Sequence, residues 1–168
     1  MVGLGNKNNV KPIENTESKT GFLNSHQDLT KKERGIHDLL LEKNRAYKKI
    51  VDQMNRGFDP ERIMQDNPAT FSRFTDNALP SSSNLYKFKI TSNINGNGKV
   101  KGGSNPRVYF TYNKATGKWI IMYAHYKSYK GKEKVKDFQK VMQTLVNRLR
   151  EGYEVEEVEV VTEKSESQ

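Results

Sequence analysis

The chain has no cysteine among its 168 residues. That removes disulfides, thiol nucleophiles and thiolate zinc sites together, and leaves the redox compartment open. Long apolar runs are also missing: none approaches the ~18 residues that a membrane span needs, and no signal-peptide core follows Met1. A cytoplasmic protein with no membrane partner is expected. Histidine is scarce, at three residues, and His26 and His37 have no partners at ligand spacing, so neither a metal site nor a cofactor is expected. Acidic residues are missing from one long stretch. Between positions 85 and 150 there are two, Glu133 and Asp137, against 15 lysines and arginines. A region so poor in carboxylates lacks the acid pairs of two-metal nucleases and glycosidases.

That stretch alone carries +13, more than the +9 of the whole chain, so the remainder is net acidic. A pI near 9.6 favours a polyanionic partner. With 33% apolar and 29% charged residues, the chain accommodates one domain with polar ends. Residues 1–29, rich in Asn, Lys, Ser, Thr and Glu without periodicity, read as a flexible polar arm. Gly3-Leu4-Gly5 within it is too short and isolated for a nucleotide loop. Residues 30–150 read as a single α+β domain. Residues 151–168, with seven glutamates and one lysine, read as an acidic tail or, through the alternation from Tyr153 to Val161, as an added edge strand.

Thr30-Lys31-Lys32-Glu33 has the form of a capping box. Ile36, Leu39, Leu40, Tyr47, Ile50, Val51 and Met54 then recur at helical spacing, which predicts a helix over about 31–56 stopped by Gly57. Asp59-Pro60-Glu61 starts a second, short helix, interrupted at Asn67-Pro68. Ala69 to Thr75 reads as a last turn with Phe71 and Phe74 facing the core. Two adjacent helices in a basic protein raise a helix-turn-helix. The second offers only Arg62 and Arg73 for contacts, and helices covering one face of a sheet are the plainer expectation.

After the linker Pro80 to Asn84 the period changes to two. Tyr86, Phe88 and Ile90 point one way, Lys87 and Lys89 the other. The Gly/Asn-rich segment from Asn93 to Asn105, with Lys99 and Lys101, reads as a mobile hairpin tip. Arg107 to Tyr112 and Lys118 to Tyr126 complete an antiparallel meander, turned at Asn113–Gly117. Val135, Phe138, Val141, Met142, Leu145 and Leu149 form the apolar stripe of a last helix that begins after Gly131.

Breaking an RNA phosphodiester with its own 2′-hydroxyl needs a base, an acid for the leaving oxygen, and fixed positive charge around phosphorus. Lys87 and Lys89 share a strand face by construction, and Arg107 joins them if its strand pairs alongside. Crowded lysines lower one another's pKa, which favours proton transfer near neutrality. The turn from His125 to Lys132 supplies an imidazole, Tyr126 and Tyr129, and Lys127, Lys130 and Lys132, with Lys134 just beyond. Aromatic rings among cations suit stacked bases and phosphates. The same patterns also describe a solvated strand face and a structural histidine.

Leu85-Tyr86-Lys87-Phe88-Lys89-Ile90, Arg107-Val108-Tyr109-Phe110 and Trp119 through His125, followed by spaced lysines and a helix, resemble the RelE/HigB superfamily of bacterial toxins. The likeness covers about 30–150 and implies a helical hairpin followed by a small antiparallel sheet. It further implies a metal-independent endoribonuclease that cuts messenger RNA, usually on the ribosome, and is neutralised by an antitoxin. On that basis Lys87 and Lys89 match the proton-transfer and phosphate-contacting lysines, and Arg107 matches the arginine that stabilises the transition state. His125, Lys127 and Lys130 fall in the basic catalytic turn. Tyr126, Tyr129, Lys132, Lys134, Lys99 and Lys101 are candidates for RNA binding. The chain departs from RelE at Ser128 or Tyr129, where RelE has an arginine, and at Phe138, where it has a tyrosine. The alternative is a non-catalytic protein of the same fold, of phage or mobile-element origin, that binds nucleic acid or inhibits a host nucleoprotein complex.

Overall fold

The computed structural model describes residues 21–80, 84–90, 105–128 and 131–165. The N-terminal twenty residues, residues 81–83 of the linker expected from Pro80 to Asn84, and all but Asn105 of the hairpin tip expected from Asn93 to Asn105 lie outside the described residues, and Asn105 begins a strand. The protein is α+β, with helices on both faces of a five-stranded sheet.

The first strand, β1 (Leu23–Ser25), comes from the end of the segment read as a flexible arm. It lies parallel to β5 (Lys118–Lys127), with Leu23 opposite Trp119. The sheet is therefore mixed rather than antiparallel. Leu23 and Leu29 are buried, so this part of the arm contributes to the core.

The capping box forms as expected: Thr30 accepts from the Glu33 amide and Glu33 reaches back to Thr30. The single helix expected over 31–56 is two, α1 (Lys31–Lys43) and α2 (Arg45–Asn55). Asn44 leaves helical geometry between them, at φ −121° and ψ 114°, and its side chain accepts from the Tyr47 amide at 2.9 Å. The apolar period continues through the break because both helices pack on the same surface. Asp59 caps α3 (Pro60–Asp66), with proline in the first turn, where its missing N–H costs nothing. Ala69–Thr75 is not a helical turn; Phe71–Arg73 forms β2, an edge strand antiparallel to β3 (Leu85–Lys89).

The strand order is β1-β5-β4-β3-β2, with β4 spanning Asn105–Asn113. One face packs against α1–α3 through Tyr86, Phe88, Val108, Phe110, Trp119 and Ile121, which meet Leu40, Tyr47, Ile50, Met54 and Ile63. Trp119 is fully buried, and its indole N–H donates to the Phe58 carbonyl at 3.0 Å. The opposite face carries Leu85, Tyr109, Ile120, Met122 and Tyr123 under Val141, Met142 and Leu145 of α4 (Gly131–Ser165). The pairing shifts from Tyr109–Tyr123 to Phe110–Ile121, leaving Met122 as an extra residue, so Met122 and Tyr123 both face α4. The helix continues through the segment expected to be a tail or edge strand. Among the described residues no helix is long and apolar enough to cross a membrane.

Candidate functional site

Strand parity and register assemble the site. Lys89, Arg107 and His125 form one cross-strand row, and Lys87, Tyr109 and Tyr123 form the next. All six stand on the face that also carries Leu85, under the start of α4. Lys127 is two residues beyond His125 on the same side of β5. Lys87 and Lys89, which parity places together, and Arg107, which joins them once its strand pairs with theirs, are thus neighbours in space.

Their environments differ. Lys89 is exposed and Lys87 half-buried, its ammonium 5.4 Å above the Phe74 ring. Burial, then the charges of Arg107, Lys89 and Lys127, hold the Lys87 pKa below the usual lysine value. Arg107 is only 7% exposed and donates to the Pro106 carbonyl at 3.2 Å. A guanidinium held this way is a fixed positive charge at the floor of the patch.

His125 is buried and bonded at both ring nitrogens. Its Nδ1 lies 2.8 Å from Oδ1 of Asp137 on α4, and its Nε2 lies 3.2 Å from the Tyr109 hydroxyl. An ionised carboxylate only accepts, so Nδ1 carries the proton and Nε2 accepts from Tyr109. The second Asp137 oxygen accepts from the Ser128 amide at 3.3 Å. Burial lowers the His125 pKa, Asp137 opposes that, and Arg107 and Lys127 lower it further. Burial raises the Tyr109 hydroxyl well above the usual tyrosine value and pushes Tyr123 up to about 12. The His125 ring stacks with those of Tyr109 and Tyr123 at 5.6 and 5.3 Å between centroids, and the two tyrosine rings lie tilted to each other at 6.1 Å.

Other expected residues fall elsewhere. Tyr126 does not join the cations: it points to the opposite face and packs against the α1–α3 cluster, because it is odd in parity to His125. Lys132 and Lys134 are exposed on the first turn of α4, beside the patch in sequence but not bonded within it. Lys99, Lys101, Tyr129 and Lys130 lie outside the described residues. Phe71 faces the α1–α3 core as expected, whereas Phe74 packs on the α4 side. The helices weighed as DNA readers spend their apolar faces on the sheet, and Arg62 stacks 4.3 Å over Phe58. His26 accepts from the Asp28 amide at Nδ1, and His37 Nδ1 meets the Tyr47 hydroxyl at 2.6 Å. Among the described residues no group of three His, Asp or Glu side chains is placed to hold a metal ion.

Three residues of the site, Tyr109, Tyr123 and Asp137, were not foreseen as part of it. Tyr109 and Tyr123 are buried in the core on the α4 side. Asp137 reads as one of two acids, with Glu133, in a strongly basic stretch, and that scarcity is its one signal. Comparison with protein-family models, with curated proteins and with solved structures gives no match.

Proposed function

We propose that this protein is a metal-independent endoribonuclease of toxin type that cleaves messenger RNA, with ribosome-bound message as its substrate and an antitoxin as its neutralising partner. The observation that carries this reading is the convergence of Lys87, Lys89 and Arg107 on one sheet face, with Lys127 and His125 at its edge. Asp137 of α4 bonds His125 and the Ser128 amide at the edge of this face. The lysines and Arg107 supply the charge that a pentacovalent phosphorus requires, and Lys87, with its lowered pKa, exchanges a proton with the scissile group. Helices α1–α3 preceding an antiparallel β3–β5 meander support the RelE-like reading of the fold.

Controlled expression in a bacterial host tests it. The expected result is growth arrest with cleaved messages, and relief of both by Lys87→Ala or Arg107→Ala. Harmless expression with intact RNA, together with salt-sensitive RNA binding by the purified chain, would instead identify a protein that grips RNA without cutting it.

A further inference from the structure

The hydrogen-bonded chain Asp137–His125–Tyr109 is built into the floor of the cationic patch. Anchoring α4 does not require all of it. The Ser128 amide already holds Asp137, and the helix is packed on the sheet through Val141, Met142 and Leu145. The contact between His125 Nε2 and the Tyr109 hydroxyl adds nothing to that anchoring. What it does add is a directed path for a proton, from a phenol to an imidazole backed by a carboxylate. Tyr109 stands opposite Lys87 in the β3–β4 register, next to the row that holds Arg107.

We propose that Tyr109, His125 and Asp137 form the proton-accepting relay of this site, with Tyr109 meeting the substrate and Asp137 a positioning residue. This rests on the reading of the site as RNA-cleaving, and assigns its base. The 2′-hydroxyl oxygen forms a bond to phosphorus as its proton passes to the Tyr109 oxygen. The Tyr109 proton passes in concert to Nε2 of His125, leaving an imidazolium paired with Asp137. The bond from phosphorus to the 5′-oxygen breaks, and the Lys87 ammonium gives that oxygen its proton. Exchange with water then returns one proton to Lys87 and removes one from His125, so no further reactant is needed. Because Tyr109 never has to become a free phenolate, its raised pKa does not block the step.

The relay works only while His125 is neutral. The groups facing that imidazole are Asp137 from α4, Arg107 and Tyr109 from β4, and Tyr123 and Lys127 from β5, with Lys89 at the end of its row on β3. Asp137 is the one that raises its pKa by charge and hydrogen bond. Replacing it with the isosteric asparagine removes that support, so His125 stays neutral to lower pH.

The experiment is single-turnover cleavage against pH by the full chain, Asp137→Asn and Tyr109→Phe, on free oligoribonucleotide and on ribosomes programmed with a defined message. The relay predicts that Asp137→Asn moves the acidic limb of the profile to lower pH and slows the plateau. It predicts that Tyr109→Phe, which keeps the ring, lowers the plateau rate by roughly 10²–10⁴-fold with little change in RNA affinity. An unmoved acidic limb in Asp137→Asn, or a wild-type rate in Tyr109→Phe, overturns the relay while leaving the ribonuclease reading intact. If one variant fails to fold, the other decides. A wild-type chain that binds both substrates and cuts neither overturns the relay and the ribonuclease reading together.

Discussion

At the residue scale, the role proposed for Lys87 sets function against stability. Half-burial and three neighbouring cations all disfavour its charged form, so the folded chain holds this proton less tightly than the unfolded chain does. The unfolded state therefore binds more protons as pH rises toward the ordinary lysine value, and stability increases with pH through that interval. Lys87→Met keeps the aliphatic stem and removes the charge. Its thermal midpoint at neutral pH is expected to lie above wild type, with the rise toward alkaline pH flattened, while cleavage falls by roughly 10²-fold or more. Melting curves across neutral to alkaline pH, beside a cleavage assay, check both halves. The histidines behave in the opposite range with the same sign. Burial depresses the pKa of His37 first, with Asp38 opposing, and burial depresses that of His125 likewise. The unfolded chain thus takes up these protons first on acidification, and stability is lost as pH falls through the unfolded histidine value of about 6.5. His37→Gln is expected to shed part of that loss, read as a shallower fall in melting temperature between neutral and mildly acidic pH.

At the scale of elements, α4 is fixed to the rest of the fold by a buried ion pair between Arg148 and Glu33 as well as by its apolar stripe. Arg148 donates to both oxygens of Glu33 at 2.7 and 3.1 Å, and to the carbonyls of Met122 and Asp28 at 2.8 and 2.9 Å. Glu33 is also the third residue of α1 and closes its capping box, so the helix start and the far end of the site-bearing layer share one carboxylate. Arg148→Met leaves that carboxylate buried and uncompensated, at a cost of about 3–5 kcal/mol. Adding Glu33→Gln is expected to restore part of the loss, and a denaturant double-mutant cycle measures the coupling.

What sequence reveals about these elements follows from range. Thr30–Glu33, Asp59-Pro60 and the alternation at Leu85–Ile90 are local signals, and they appear where expected. Asn44 breaks a helix that its apolar period would carry through, because one side-chain cap competes with continuation and the period cannot register it. The β1 pairing joins Leu23 to Trp119 and β2 joins Phe71 to Phe88; three-residue strands carry too few alternations to be visible before their partners are known. The acidic segment after Arg150 alternates like a strand yet continues a helix. The site divides the same way. Parity puts Lys87 and Lys89 on one face, and register alone is needed to add Arg107. Asp137 reaches His125 only once α4 has docked, which no spacing within either element encodes.

At the scale of the molecule, one sheet serves two purposes. Its α1–α3 face is filled with aromatic and aliphatic side chains. Its α4 face is apolar at Leu85, Ile120 and Met122 and cationic at the end where Lys87, Lys89, Arg107 and Lys127 gather. The packed half anchors the charged half, so on the proposed reading the cations would meet a phosphate with little reorganisation. The most direct measurement of that account is the chemistry of cut RNA ends. The full chain is incubated with message on programmed ribosomes and with free RNA, with a metal chelator present throughout, and the 3′ ends are identified. The account predicts cleavage undiminished by the chelator, with 2′,3′-cyclic phosphate ends that disappear in Lys87→Ala and Arg107→Ala. Intact RNA, or cleavage that the chelator abolishes and that leaves 3′-hydroxyl ends, would contradict it.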